Sequence, residues 1–280
     1  MKFTKMHGIG NDYVYVNMFE ETVDNPAEVA IKVSDRHFGI GGDGLILIGP
    51  SEKAPVRMRM FNADGSEAEM CGNGLRCVGK FVFDRKIVEG TSFPVETGAG
   101  ILNVEITPDD NGLAKAARIN MGEPHLTRGE IPMQGPADER AVKQGLQIKD
   151  REFEFTAVSM GNPHCVIFLE EDLDAFEIER YGPEIENHTL FPQRINVEFV
   201  TQQAENELCQ RTWERGCAET LACGTGASAV CVAANLLGLC GRNTLIHLKG
   251  GDLNLEWSEE DNCIYKTGPA TEVFSGEIKL

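Results

Sequence analysis

The chain has 280 residues, 41% of them hydrophobic and 25% charged, which excludes a disordered tract, a fibre or a disulfide-rich miniature domain. Its length suits two domains of about 100 to 150 residues each. A formal net charge of −18 repels phosphate backbones and anionic lipid, which argues against nucleic-acid and membrane partners.

The N-terminal residues, MKFTKMHGIGND, reach polar and glycine residues before any apolar run, unlike a signal peptide or an anchor. Gly10-Asn11 then opens a strand-like run, DYVYVNM. Asn25-Pro26 with Glu28 reads as the cap and first turn of a helix running to about His37. Next comes GIGGDG, Gly39 to Gly44, a dinucleotide-binding pattern on paper. It is followed by the strand-like GLILIG and not by a helix, so nucleotide binding is rejected. VRMRMF, ending at Phe61-Asn62, reads as a further strand. MCGNGLRC follows, and from Leu75 onward LRCVGKFVFDRK is apolar over most of a helical circumference, marking a helix enclosed by other structure.

LNVEI (Leu102 to Ile106) and INMGEP close the first half, with a boundary near Arg118 to Gly122. The Gly-, Pro- and charge-rich segment from about Glu123 to Glu152 is read as a crossing between two modules. Beyond it the order repeats. Gly161-Asn162 leads into Val166 to Phe168, and Trp213-Glu214 stands where Phe61-Asn62 stood, ten and nine residues before a cysteine. ACGTGASA then opens the apolar helix ASAVCVAANLLGL. From Asn11 to Cys71 is 60 residues and from Asn162 to Cys223 is 61. Two copies of one module are expected, at 1–120 and 121–264, with 265–280 left either to follow the second or to return and complete the first. Each should be a curved sheet around a central helix. The longest apolar stretch, Ala227 to Cys240, is broken by Asn235 and too short to span a bilayer.

Nine cysteines at scattered spacings fit reduced thiols in a cytoplasmic protein. Most of them are small hydrophobes. Cys71 and Cys223 differ, because each sits at the mouth of a buried helix between glycines. There the helix N–H groups and dipole favour an anion, either a thiolate or a ligand carboxylate. If the modules face one another, two thiols bracket one carbon. One takes a proton and the other returns it from the opposite face, which inverts a stereocentre. Developing charge would rest on oxygens bonded to the helix N-termini.

The motifs KMHGIGNDYV, FNADGSEAEMCGNGLRC, SMGNPHCV, RINVEFV, WERG, ETLACGTGA and the closing GPA together resemble the diaminopimelate epimerase family through almost the whole chain. The resemblance implies an α/β (α+β) fold of two pseudo-symmetric domains, each a mixed sheet around a central helix. It also implies no pyridoxal phosphate or other cofactor, no metal, a homodimer, and interconversion of LL- and meso-2,6-diaminopimelate. Carried over, Cys71 and Cys223 are the acid/base pair, with Cys223 taking the proton in the LL-to-meso direction. Gly72, Asn73, Gly224 and Thr225 bind the reacting carboxylate through N–H groups. Asn11, Asn62, Asn162, Asn196, Glu214 and Arg215 read the distant amino-acid end, and His164 and Glu214 support the thiols.

Two positions depart from the family pattern. Ala218 stands where glycine is common, and Gly44 stands where some members carry a substrate-contacting glutamine. His7, His37, His125, His188 and His247 show no metal-ligand spacing. A proline or hydroxyproline racemase and a non-catalytic thiol protein, redox or metal-binding, are the alternatives. Glu214 and Arg215 argue against the first, and duplication of a whole module around each thiol argues against the second.

Overall fold

The computed structural model describes residues 1–280. The chain divides into two units, Met1–Asn120 with Thr267–Leu280, and Met121–Lys266. In the first unit run β1 (Lys2–Gly8), β2 (Asn11–Asn17), α1 (Pro26–Ser34), β3 (Gly44–Gly49), β4 (Val56–Asn62) and β5 (Glu67–Ala68). Then come α2 (Gly72–Asp84), β6 (Ser92–Thr97), β7 (Gly100–Pro108) and β8 (Ala114–Asn120). The second unit holds β9 (Gln144–Ile148), β10 (Arg151–Ser159), β11 (Pro163–Phe168), α3 (Ile178–Glu186), β12 (Asn196–Ala204), β13 (Glu207–Glu214) and β14 (Ala218–Thr220). It continues with α4 (Gly224–Leu236), β15 (Asn243–Leu248), β16 (Gly251–Trp257) and the start of β17 (Ile264–Gly268). The last strand, β18 (Thr271–Glu277), belongs to the first unit and pairs antiparallel with β1.

Strand pairing follows one plan in both units. An antiparallel pair, β1–β2 or β10–β11, is followed by a parallel neighbour, β3 on β2 or β12 on β11. Antiparallel β4 and β13 come next, each carrying a short partner, β5 or β14. A parallel strand, β6 or β15, then opens a hairpin with β7 or β16. The parallel rung Tyr13↔Gly44 corresponds to His164↔Asn196, which sets the register of counterparts along the matched strands.

The central helices are buried because their sequences allow close approach on nearly every side. Ala227, Ala229, Val230, Cys231, Val232, Ala233 and Ala234 of α4 are fully buried, against β10, β11, β12, β15 and β16. In α2, Gly79 takes its place because a Cβ there would lie 2.6 Å from Val104 Cγ1. The second unit's core carries an aromatic knot, with Phe153 edge-on to Tyr181 at 5.2 Å and to Phe199 at 6.4 Å.

Two local expectations need correcting. Helix α1 ends at Ser34 and not near His37, because Asp35 turns extended and its Oδ1 accepts from the His37 and Phe38 N–H groups. An Asx turn thus ends the helix. Asn25 enters it in the left-handed region, φ 50°, without a side-chain capping bond. The segment 123–152 is also more than a crossing. It supplies Ile131, Met133, Ala141, Leu146 and Ile148 to the second core, and buried Arg128 ties the Gln134 carbonyl to the Gln144 side chain at 2.8 and 2.7 Å.

Candidate active site

Each central helix is capped by its cysteine. Cys71 and Cys223 have extended backbones, and their sulfurs accept the N–H of Gly74 at 3.5 Å and of Gly226 at 3.3 Å. A sulfur thus takes the place that Ser or Asp oxygen usually fills. The two N–H groups ahead of that bond, on Gly72 and Asn73 or on Gly224 and Thr225, have no intrahelical acceptor by the geometry of a helix start. They can hold an anion. Both third residues must be glycine. A Cβ on Gly74 would lie 2.7 Å from Ile46 Cδ1, and one on Gly226 would lie 2.5 Å from Glu198 Oε1.

Around Cys71 the neighbours are Asn11 and Tyr13. The Cys71 Sγ–H donates to Asn11 Oδ1 at 3.3 Å. Burial and then the Cys71 thiol push the Tyr13 phenol up, which keeps it neutral. Asn73 is held by Arg76, whose Nη1 donates to Asn73 Oδ1 at 2.8 Å and whose Nε donates to the Pro269 carbonyl at 3.2 Å. This guanidinium is fully buried, which lowers its pKa from the ordinary arginine value. Asn62 Nδ2 donates to Ser66 Oγ at 3.0 Å.

Cys223 sits in a more charged place. Its Sγ is 3.4 Å from Thr225 Oγ1, which itself accepts from Asn162 Nδ2 at 3.2 Å and so can point its own hydrogen at sulfur. Asn162 Oδ1 lies 3.1 Å from His164 Nε2, and His164 Nδ1 lies 2.7 Å from Glu198 Oε1. His164 and Glu198 are both fully buried. Glu198 Oε2 also accepts from Gln210 Nε2 at 2.9 Å and Thr212 Oγ1 at 2.6 Å. Burial pushes the Cys223 thiol well up, Glu214 and Glu198 act the same way, and the Thr225 and Gly226 donors oppose them. The donor atoms of His164, Glu198 and Cys223 lie within 4.8 Å of one another. His164 and Glu198 form a hydrogen-bonded pair beneath the Cys223 thiol.

The remaining predicted residues support the loop after β13. Buried Asn196 has both amide ends engaged, donating to the Pro163 carbonyl at 2.8 Å and accepting the Arg215 N–H at 2.9 Å. Arg215 Nη1 reaches the Gln193 carbonyl at 3.0 Å. Glu186, which sequence reasoning passed over, accepts from Gly216 N, Arg194 and Trp213 Nε1. Glu198 was missed as well, although it lies within RINVEFV; a strand buried on both faces shows no alternation that would tell which side its carboxylate faces. Ala218 adopts φ 62°, the left-handed region that glycine favours. Gly44 leaves no room for a side chain here, since a Cβ would overlap the Phe61 carbonyl oxygen and come 2.9 Å from Tyr13 Cε1. A cavity of about 740 Å³ in the second unit, rimmed by Glu170, Glu171, Asp172 and Asp174, has neither of these cysteines in its wall.

This fold is shared with solved structures. A phenazine biosynthesis protein of the PhzF family from Bacillus anthracis aligns over 100% of this chain and 99% of its own, with a TM-score of 0.73 and 19% identity. A hydroxyproline epimerase from Agrobacterium vitis aligns over 99% and 90%, with a TM-score of 0.66 and 14% identity. The curated relatives are far closer in sequence. The diaminopimelate epimerases of Agathobacter rectalis and Methanococcus maripaludis are 55% and 51% identical, each over 100% of both chains. Fold and relatives define an isomerase of the epimerase class. The model of the diaminopimelate epimerase family matches residues 3–127 and 156–273, and the chain belongs to that family. None of its helices is long and apolar enough to cross a membrane.

Proposed function

We propose that the chain interconverts LL- and meso-2,6-diaminopimelate by passing a proton at one α-carbon between the Cys71 and Cys223 thiols. The observation that carries this reading is the duplicated cap: a cysteine sulfur on the first turn of each of two buried helices, with two N–H groups beside it. In the LL-to-meso direction Cys223, as thiolate, takes the α-proton, and its charge is held by the Gly226 N–H and the Thr225 hydroxyl. The electron pair left on carbon delocalises into the substrate carboxylate, bonded to the N–H groups of Gly72, Asn73, Gly224 and Thr225. Cys71 then gives its proton to the other face, so the thiol and thiolate exchange places. In the meso-to-LL direction the roles reverse.

His164 supports Cys223 through Asn162 and Thr225, and Glu214 faces the same thiol. Asn11, Asn62, Asn162, Asn196, Glu214 and Arg215 would recognise the distal ammonium and carboxylate, Asn196 acting through the Arg215 backbone that it holds. Pairing a carboxylate with a guanidinium suits a substrate whose far end carries both charges. The resemblance further supports a cytoplasmic homodimer that needs no cofactor, and a monomeric mass by sedimentation would contradict the dimer. A substrate panel under reducing conditions tests the main reading by chiral chromatography. Epimerisation of LL-diaminopimelate, with L-proline and hydroxyproline left unchanged, is expected. Turnover of the cyclic substrates alone would overturn it.

A further inference from the structure

The glycine-rich segment Gly39 to Gly44 has no nucleotide to hold, and the proton transfer just described gives it no part. Its packing is nonetheless specific. Gly42 lies against Lys5 Nζ and the Asp12 carbonyl, where a Cβ would come within 2.7 and 3.1 Å. Asp43 N–H donates to the Asp12 carbonyl at 2.6 Å, and the Asp43 carbonyl accepts from Ala63 N–H at 3.1 Å. The segment therefore docks on the start of β2 and delivers one carboxylate there.

That carboxylate is fully engaged. Asp43 Oδ2 accepts from Asn11 Nδ2 at 2.7 Å and from the Asp12 N–H at 3.0 Å, and Oδ1 accepts from Arg36 Nη2 at 2.9 Å. Arg36 and Lys5 also grip Asp12, at 2.7 and 2.5 Å. Burial works to raise Asp12, but these two cations hold its carboxyl below the ordinary range. Since a carboxylate only accepts, Asn11 must turn its NH2 toward Asp43. Its carbonyl oxygen is then left facing Cys71, 3.3 Å from the sulfur. An oxygen in that place takes a hydrogen bond from a thiol and repels a thiolate.

We propose that Asp43 is a positioning residue that fixes the Asn11 amide and thereby keeps Cys71 loaded with the proton it delivers. The proposal rests on Cys71 being one of the two acid/base thiols. The counterpart of Asp43 in the second unit, one residue before the Asn196 rung, is Ile195. There Asn162 is oriented by Thr225 and His164 instead. The device is therefore specific to one thiol. Tyr13, Tyr15, Arg76 and Cys77 also interact with Cys71; none of them is substituted in the variants below, although Tyr13 also feels the Asp43 charge.

Alkylation by iodoacetamide at neutral pH, followed cysteine by cysteine with peptide mass spectrometry, tests the assignment without using activity. In Asp43→Leu the acceptor shared by Asn11 Nδ2 and the Asp12 N–H is removed, and Asn11 is free to turn over and present its own NH2 to the sulfur. The Cys71 thiolate is then favoured, and its alkylation should quicken by about three- to tenfold while Cys223 is unchanged. Asp43→Ala, which deletes the acceptor, should act in the same direction if the first variant folds poorly. Arg36→Met loosens the segment but leaves the Asp43 acceptor in place, and should not quicken Cys71. An unchanged Cys71 rate in both Asp43 variants, or equal acceleration in Arg36→Met, would overturn the proposal. Epimerisation surviving in Cys71→Ala would instead overturn the two-thiol reading, whatever the alkylation rates.

Discussion

The two modules share a chain path but hold their thiols differently. Where the first places Tyr13 and Ile46 beside and beneath its cysteine-capped turn, the second places His164 and Glu198. Each half has a carboxylate that the other lacks. Asp43 corresponds to Ile195 in the repeat and acts through Asn11, whereas Glu198 stands at the position of Ile46 and acts through His164. Duplication supplied two equivalent caps, and divergence at two rungs set one sulfur beside an amide oxygen and the other above a buried histidine–carboxylate pair.

The harshest way to break this comparison is to make the second module like the first. Glu198→Ile would strand His164 Nδ1, Gln210 Nε2 and Thr212 Oγ1 without their acceptor, and should cost about 3 to 5 kcal/mol by urea denaturation. A loss under about 1 kcal/mol would mean that the buried pair contributes little to folding.

Alkaline pH probes the same asymmetry more gently. Burial raises Cys77 to about 11 and Cys231 to about 12, and drives Cys165 and Cys223 well above the ordinary value of 9.0. The unfolded chain releases these protons first, so their contribution is complete below pH 9 and is lost as pH climbs through the folded values. Three of the four thiols lie in the second unit, as do both tryptophans, Trp213 and Trp257. Tryptophan fluorescence should therefore report a falling urea midpoint above about pH 9. A flat profile would mean that these thiols ionise as easily in the folded chain as in the unfolded one.

The smallest expected effect lies at Ala218. Glycine at φ 62° should stabilise the chain by about 1 kcal/mol, read as a higher denaturation midpoint. A lower midpoint would show that the methyl group makes contacts outweighing the strain.

Much of this was legible in the sequence. The repeat, the glycine-flanked cysteines and the buried helices all follow from residue type and spacing, because helix mouths and all-round apolar faces leave local signatures. Ala218 was marked by its family context, and the left-handed backbone explains why glycine is common there. What escaped was set by pairing across the sheet. Glu198 is a functional neighbour only because β12 lies parallel to β11 and brings it under Gly226. Asp43 mattered only once its segment was seen docked on Asp12. The segment 123–152 read as a connector because its apolar residues are scattered among glycine, proline and charge, with no strand or helix period to reveal the core they fill.

The central claim is that Cys71 and Cys223 serve opposite faces of one carbon. Proton NMR of LL-diaminopimelate in deuterated buffer, with reductant and no added cofactor, tests it in the parent chain and in Cys71→Ala and Cys223→Ala. The account predicts α-deuteration with epimerisation in the parent and loss of epimerisation in both variants. Epimerisation persisting in either variant would contradict it.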